Sequence, residues 1–264
     1  VYIYYNTTNY TKGTQILNNN FENQKGGYNY VIYLRYHEAP VVNNNIITNT
    51  TTTGWWGIYL DRCTNDLKVI GNKISSNNSE GGIMLSVCLA INTKRGLVAN
   101  NFVDIGGTSY AYGIDVYGSS YQNIFNNSVR ITSNNTSYGR AFYNTNNSGN
   151  ITVKNNIFAN LGDGYALYSD ASSNLVSDYN DFYSTGTFLA SWVGANQADL
   201  AAYKPTSSQD ANSISANPSF VSTSDLHTTS SFLDRVAVVL PEVTADIDGT
   251  VRDLTNPDIG ADEF

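Results

Sequence analysis

An asparagine two residues before an apolar side chain recurs through the first two thirds of the chain. The pairs are Asn19 with Phe21, Asn44 with Ile46, Asn72 with Ile74, Asn100 with Phe102, Asn127 with Val129, Asn155 with Ile157 and Asn180 with Phe182. Successive asparagines are 25, 28, 28, 27, 28 and 25 residues apart. A nearly fixed period of this length is typical of stacked structural repeats.

A second pattern, an apolar, a variable and an apolar residue, follows each asparagine by 11 to 14 residues. It occurs at Ile32-Tyr33-Leu34, Ile58-Tyr59-Leu60, Ile83-Met84-Leu85, Ile114-Asp115-Val116, Ala141-Phe142-Tyr143 and Ala166-Leu167-Tyr168. Alternation with period two indicates strands, and 25 to 28 residues accommodate three short strands with their turns. The sequence therefore predicts an all-β, parallel β-solenoid with about 4.8 Å between equivalent positions of successive coils.

The recurring asparagine has a physical role in such a coil. Asparagine tolerates the left-handed conformation that a sharp corner requires, and its amide group both donates and accepts hydrogen bonds. We therefore predict a stacked asparagine ladder that runs from coil to coil and is formed by the seven asparagines named above.

The alternation also separates inward from outward side chains. The predicted inward columns contain Ile3, Ile32, Ile58, Ile83, Ile114, Ala141 and Ala166, and Tyr5, Leu34, Leu60, Leu85, Val116, Tyr143 and Tyr168. The predicted outward columns contain Tyr4, Tyr33, Tyr59, Met84, Asp115, Phe142 and Leu167, and Asn6, Arg35, Asp61, Ser86, Tyr117, Asn144 and Ser169. In this register the aromatic outward column ends at an aliphatic residue, Leu167.

The period ends near Ser184, which divides the chain into solenoid coils over residues 1–184 and a capping segment over residues 185–264. A cap is expected because the end of a solenoid exposes unpaired strand edges and an open core. Within it, residues 195–203 have the composition of a short helix that stops before Pro205. The first residues already follow the strand pattern, so we expect a fragment of a longer chain with further domains.

Composition limits the classes of partner. Charged residues make up 14% of the chain, and the net charge of −8 does not favour nucleic acid or anionic membranes. The sequence contains no run of about 18 apolar residues, so no membrane insertion is predicted. Cys63 and Cys88 stand at equivalent places in adjacent coils, where we predict contact, either as a disulfide or as two buried thiols.

Several motifs of the tail resemble a known family. They are Ser177-Asp178-Tyr179-Asn180, Asp199-Leu200-Ala201-Ala202-Tyr203, Gln209-Asp210-Ala211-Asn212-Ser213, Asn217-Pro218-Ser219-Phe220-Val221, Asp225-Leu226-His227, Asp246-Ile247-Asp248-Gly249 with Arg252, and Pro257-Asp258-Ile259-Gly260-Ala261-Asp262-Glu263-Phe264. The tail resembles the closing segment of bacterial choice-of-anchor surface proteins, and the coils resemble the right-handed parallel β-helix of the pectate-lyase-like superfamily. The resemblance implies a secreted or cell-surface bacterial protein, such as an adhesin, a stalk or a polysaccharide-processing enzyme, without deciding among them.

The outward columns are the candidate functional surface. Aromatic rings stack on sugars, and neighbouring polar groups orient them by hydrogen bonds. We therefore predict a carbohydrate-binding strip, with the alternative that the rings only stabilise the sheet. The predicted binding residues are Tyr33, Arg35, Trp55, Trp56, Tyr59, Asp61, Asp115 and Tyr117, with Tyr110, Tyr112 and Tyr138 on the rim.

Catalysis is the alternative function. Arg35 and Asp61, one coil apart, provide a cation and a carboxylate for a calcium-dependent lyase of acidic polysaccharides, or only a surface ion pair. No catalytic residue, metal ligand or cofactor is assigned, although calcium is kept as an alternative. The acidic turn of Asp246, Asp248 and Asp253 has no glutamate at EF-hand spacing, so these acids are expected to form turns.

Overall fold

The protein is described by a computed structural model that covers residues 1–4, 10–23, 29–50, 54–77, 80–170 and 174–264. These residues form a parallel β-solenoid of about 6 turns, as the repeat predicts. No helix among them is long and apolar enough to cross a membrane.

Three parallel sheets run along the solenoid. The large sheet contains β1 (Tyr2–Tyr4), β5 (Tyr30–Arg35), β9 (Trp56–Asp61), β12 (Gly81–Ser86), β15 (Ala111–Tyr117), β18 (Gly139–Thr145), β21 (Tyr165–Ser169) and β24 (Ala190–Trp192), and β25 (Ala195–Gln197) joins it antiparallel. The second sheet contains β3 (Gln15–Leu17), β7 (Val41–Asn43), β10 (Lys68–Ile70), β13 (Gly96–Ala99), β16 (Gln122–Phe125), β19 (Thr152–Lys154) and β22 (Val176–Asp178). The third sheet contains β4 (Asn20–Glu22), β8 (Ile46–Asn49), β11 (Lys73–Ser76), β14 (Phe102–Ile105), β17 (Ser128–Ile131), β20 (Ile157–Asn160) and β23 (Asp181–Ser184). A short pair, β2 (Thr11–Lys12) with β6 (His37–Glu38), completes the described strands.

The large sheet has two successive inward positions, which simple alternation does not predict. Ile58 is fully buried in the main core, yet the residue before it, Gly57, also faces inward. The same column holds Gly82 and Gly113, where an added Cβ would lie 2.3 and 2.2 Å from valine side chains of the third sheet. Glycine is therefore required there, because the two sheets approach closely.

Because two successive residues face inward, the predicted register of the later coils is wrong by one residue. Ile114 pairs with Phe142 rather than with Ala141, and Val116 pairs with Asn144 rather than with Tyr143. The alternation places this motif one residue too early in the chain, because Ala141 continues the glycine column and Phe142 occupies the position of Ile114. Phe142 therefore fills the core, and Tyr143 faces outward.

The same correction extends to the last predicted motif and to the first. Leu167 pairs with Phe142 and is buried, whereas Tyr168 pairs with Tyr143 on the outer face. At the other end Ile3 pairs with Leu34 rather than with Ile32. The predicted inward Tyr5 and outward Asn6 lie outside the described residues.

The asparagine ladder is present, but three of its members differ from the prediction by one residue. The chain of side-chain amide bonds runs through Asn19, Asn45, Asn72, Asn101, Asn127, Asn156 and Asn180. The Nδ2 of each of the first six donates to the Oδ1 of the asparagine in the next coil at 2.8–3.0 Å. Asn44, Asn100 and Asn155, which were predicted for the ladder, instead hold the left-handed conformation one residue earlier, with φ of 56°, 52° and 59°.

The one-residue shift also moves the apolar partner. Ile47, Val103 and Phe158 are fully buried in the main core, one residue after Ile46, Phe102 and Ile157, the apolar members of the pairs in the sequence. Where two asparagines are adjacent in the sequence, either of them fits the spacing of 25 to 28 residues between coils. The corner conformation and the amide ladder therefore belong to two adjacent columns rather than to one.

The solenoid is closed at its C-terminal end by β24, β25 and α1 (Leu200–Ser207). The helix begins later than predicted, because residues 195–197 form a strand, and it includes Pro205 instead of stopping before it. Asp199 caps its N terminus by accepting a hydrogen bond from the Ala202 amide at 2.8 Å. Tyr203 of the helix is 1% exposed and packs on Trp192 and Phe182 over the open core.

Beyond the helix the tail runs back along the side of the third sheet, in addition to capping the end. Three outer asparagines hold it: Asn100, Asn126 and Asn155 donate to tail carbonyls at 2.7, 3.2 and 2.7 Å. The outward Phe102 and Ile157 are buried beneath it. The tail thus covers apolar surface that the solenoid leaves on its flank.

Cys63 and Cys88 are in contact, as predicted, and both are free buried thiols. Each Sγ lies within hydrogen-bond distance of a carbonyl one coil back, Leu34 O at 3.5 Å and Leu60 O at 3.3 Å. Burial, followed by the neighbouring Cys63, raises the pKa of the Cys88 thiol well above its usual range.

Candidate functional site

The outer face of the large sheet carries a continuous strip of aromatic rings. Neighbouring rings lie 4.7–6.0 Å apart between centroids, in stacked, tilted or edge-on pairs. The strip contains Tyr2, Tyr30, Tyr33, Trp56, Tyr59, Tyr112, Tyr143, Tyr165 and Tyr168. It exists because β-strands of adjacent coils place equivalent residues one strand spacing apart.

The strip extends to the C-terminal end of the sheet, which corrects the expectation of an aliphatic end at Leu167. The revised register directs Leu167 inward and adds Tyr143 and Tyr168 to the outer face. Tyr143 stacks on Tyr112 at 5.3 Å with 14° between the ring planes. The aromatic surface is therefore not confined to the N-terminal half.

Many ring faces in the strip are covered by their neighbours. Tyr33 and Trp56 are each 7% exposed, and Tyr112 is 9% exposed. Trp55, which was predicted to bind carbohydrate from the outer face, lies in the main core at 3% exposure. The N-terminal half of the strip thus stabilises the sheet by ring packing, while Tyr59 is only partly buried and Tyr117 is exposed.

Arg35 on β5 and Asp61 on β9 form an ion pair, as one of the two sequence interpretations expects. Asp61 is buried, and its carboxylate lies 2.9 Å from Arg35 Nε and 2.9 Å from Arg62 Nη1. It also accepts a hydrogen bond from the Tyr33 hydroxyl at 3.2 Å. Burial, together with the Asp61 charge, raises the pKa of Tyr33 above its usual range.

The neighbouring acid on this face, Asp115 on β15, is almost completely buried. It is 4% exposed, and no hydrogen-bond partner is found for its Oδ1 among the described residues. Burial raises the pKa of Asp115 well above its usual range, and the Arg140 charge opposes this shift. The guanidinium of Arg140 lies 3.8 Å from the ring centre of Tyr168 and 4.2 Å from that of Tyr143.

An open cleft lies at the C-terminal end of the strip. It has a volume of about 570 Å³ and is bounded by loops that connect the third sheet to the large sheet. The lining residues are Thr136, Ser137, Asp163, Gly164, Tyr165, Thr185, Gly186, Thr187 and Phe188. Tyr165 belongs to both the cleft and the strip, so the two features form one surface.

Hydrogen bonds hold the polar wall of the cleft in place. Thr185 Oγ1 donates to Asp163 Oδ1 at 3.0 Å, and Ser184 Oγ donates to the Gly164 carbonyl at 2.6 Å. Arg140 reaches the opposite wall and donates to the Ser137 carbonyl at 3.2 Å. Asp163 has a φ of 68°, a left-handed corner that directs the loop around the cleft.

The predicted binding residues are thus distributed along the face rather than gathered in one pocket. Arg35, Asp61, Tyr33 and Tyr59 lie together toward the N-terminal end, whereas Asp115 is beneath the strip. The sequence prediction missed Arg140, Tyr143, Asp163 and Tyr165. One available signal was the spacing of 14 residues between Asn127 and Ala141, which leaves a longer loop at residues 133–138, and Thr136 and Ser137 of this loop line the cleft.

The fold and this face define the protein as a parallel β-solenoid with an aromatic outer surface. Comparison of the chain with models of protein families and with curated proteins finds no match. The resemblance to the pectate-lyase-like superfamily and to choice-of-anchor proteins therefore remains an interpretation of the motifs.

Proposed function

We propose that this chain is a non-catalytic module of a secreted or cell-surface bacterial protein that binds a polysaccharide or a cell-surface glycan. The proposal rests on one observation. Tyr165 belongs both to the continuous aromatic strip and to the open, hydroxyl-lined cleft. Aromatic carbon surface beside hydroxyls and a carboxylate matches the alternating apolar and polar character of a sugar ring.

The chemistry of the cleft favours a neutral glycan. Its described lining contains one acid, Asp163, and no lysine or arginine, and the chain carries a net charge of −8. A polyanionic chain would meet repulsion at such a surface. Hydroxyls of a neutral sugar would instead pair with Asp163 and with the threonines and serine of the walls, while Tyr165 and Phe188 supply apolar contact.

The lyase alternative depends on Arg35 and Asp61. The carboxylate of Asp61 is already engaged by two arginines and a tyrosine hydroxyl, and Asp115 is buried. A base or a calcium ligand would have to be released from these contacts before it could act. These contacts favour a binding role over a catalytic one.

The proposal is tested by affinity electrophoresis against a panel of neutral polysaccharides, with alginate and pectate included. We expect Tyr165→Ala to weaken binding of the preferred glycan roughly tenfold, which corresponds to about 1.4 kcal/mol. Asp163→Asn should weaken binding by a similar factor. The matched control is Phe232→Ala, which removes an aromatic ring that is 70% exposed on the tail.

Two results would contradict the proposal. One is binding that both cleft variants retain in full, or that the Phe232 variant loses equally. The other is accumulation of unsaturated products, measured by absorbance near 235 nm with calcium present, which would establish the lyase alternative.

A further inference from the structure

Three segments of the tail bring metal-ligating side chains together outside the solenoid. His227, Asp248 and Asp262 each offer one ligand atom, and these atoms all lie within 4.8 Å of one another. The three residues are separated in sequence by 21 and 14 residues, so the tertiary fold brings them together. They lie beside Phe102, whose ring meets the His227 imidazole edge-on at 4.9 Å.

Each ligating residue is anchored by the apolar residue that precedes it. Leu226, Ile247 and Ala261 all belong to the small cluster that covers Phe102. The amide of Ile247 also donates to the carbonyl of Ala261 at 2.9 Å, which joins two of the segments directly. The three side chains are therefore positioned by packing that does not depend on their own mutual contacts.

An imidazole at the centre distinguishes this group from an ordinary acidic patch. His227 Nδ1 faces Asp225 Oδ1, and Nε2 lies 2.5 Å from Asp248 Oδ2 and 3.9 Å from Asp262 Oδ1. A carboxylate on Nδ1 that orients Nε2 toward an ion is the usual arrangement around a metal-binding histidine. Asp225 would therefore be a positioning residue rather than a ligand.

The basic side chains near this group leave the ligand atoms of its carboxylates unpaired with lysine or arginine among the described residues. Lys73 pairs with Asp248 at 3.2 Å, but through Oδ1, so Oδ2 still faces the imidazole. The other nearby base, Arg252, pairs with Glu263 at 3.1 Å. Among the described residues, the cationic partners of these carboxylates are thus Lys73 and the imidazole, which serve Asp225, Asp248 and Asp262 together.

We propose that His227 Nε2, Asp248 Oδ2 and Asp262 Oδ1 bind a divalent transition-metal ion of the zinc class, with water completing the coordination. Ligands of a tetrahedral zinc ion lie about 3.3 Å apart for bonds near 2.0 Å, which the separations of 2.5 and 3.9 Å bracket. One nitrogen with two carboxylates suits such an ion better than calcium or magnesium, which prefer oxygen ligands throughout. The ion would fasten three tail segments to the flank of the solenoid.

The first test uses the unmodified chain. Two-bond ¹H–¹⁵N spectra resolve the ring nitrogens of both histidines, and His37, which is fully buried among the coils, serves as the internal control. We expect one equivalent of Zn²⁺ to shift His227 Nε2 and to leave His37 unchanged. No shift at His227, or equal shifts at both rings, would overturn the proposal.

The second test is calorimetric titration with Zn²⁺, Mn²⁺, Ca²⁺ and Mg²⁺. We expect one Zn²⁺ site whose affinity exceeds that for Ca²⁺ by at least tenfold and falls at least tenfold in His227→Gln and in Asp262→Asn. The matched control, Asp66→Asn, removes an exposed acid elsewhere and should bind as the original does. Equal affinities for Zn²⁺ and Ca²⁺, or unchanged affinity in folded ligand variants, would overturn the proposal.

Discussion

Asn127→Ala, in the middle of the ladder, should be among the most destabilising single substitutions in the coils. The buried Asn127 amide donates to Val98 O, Phe125 O and Asn156 Oδ1 at 2.9–3.0 Å. Its Oδ1 accepts from the Asn101 backbone amide at 3.1 Å and from Asn101 Nδ2 at 2.8 Å.

The cost follows from these bonds. The Nδ2 group has two hydrogens for its three acceptors, so losing its bonds costs about 2 kcal/mol, and the Asn101 backbone amide, left buried without its acceptor, costs about 2 kcal/mol more. Asn101 Nδ2 keeps carbonyl partners at Val69 and Ala99, so it adds little. We therefore expect a loss of about 4 kcal/mol in the free energy of unfolding, measured by urea denaturation, together with faster hydrogen exchange at the Asn101 amide.

The chain supplies its own control at the exposed end of the same ladder. Among the described residues, the exposed Asn19 side chain donates to Leu17 O and Asn45 Oδ1, and water replaces those bonds when it is removed. Asn19→Ala should therefore cost about 1 kcal/mol. Equal losses for the two variants, or a loss below about 2 kcal/mol for Asn127→Ala, would refute the reasoning.

Three further predictions concern charged and hydroxyl groups. Asp104→Ala leaves the buried Arg130, now 2.7 Å from the carboxylate, without its partner, so urea denaturation should show a loss of about 3–5 kcal/mol; a loss below 1 kcal/mol would contradict this. The raised pKa of Asp115 means that its stabilising contribution is present below its ordinary value of 3.8 and is lost as pH rises through the folded-state pKa. Asp115→Asn should consequently match the original chain near pH 3 and exceed its unfolding midpoint at pH 8, and a lower midpoint at pH 8 would be the contrary result. Tyr33→Phe removes one hydrogen bond to Asp61 and should cost about 1 kcal/mol in thermal unfolding with no loss of strand signal.

The sequence predicts the solenoid well because each coil must repeat the same corner and the same core position. The spacing of the asparagines and the apolar alternation reflect those requirements directly. The sequence predicts less well which residue of each coil occupies the corner, the ladder or the core, and the reason is physical. Where two asparagines are adjacent, as at Asn100 and Asn101, spacing cannot separate the left-handed corner from the ladder amide. Where a strand turns two residues inward, as at Gly57 and Ile58, simple alternation fails.

The candidate site was less predictable than the fold. The one-residue shift changed which face Tyr143 and Tyr168 occupy, and that shift extended the aromatic strip toward the cleft. The cleft is formed by loops of different coils, whose relative positions no local pattern contains. The same holds for His227, Asp248 and Asp262, which only the return of the tail along the solenoid brings together.

The most direct test of glycan binding at the cleft is an amide chemical-shift titration of the chain with the neutral oligosaccharide that the binding panel selects. The largest shifts should fall in the loops at residues 136–137, 163–165 and 185–188, and they should saturate without any change in the oligosaccharide. Shifts centred instead on Arg35 and Asp61, or cleavage of the oligosaccharide during the titration, would contradict the account.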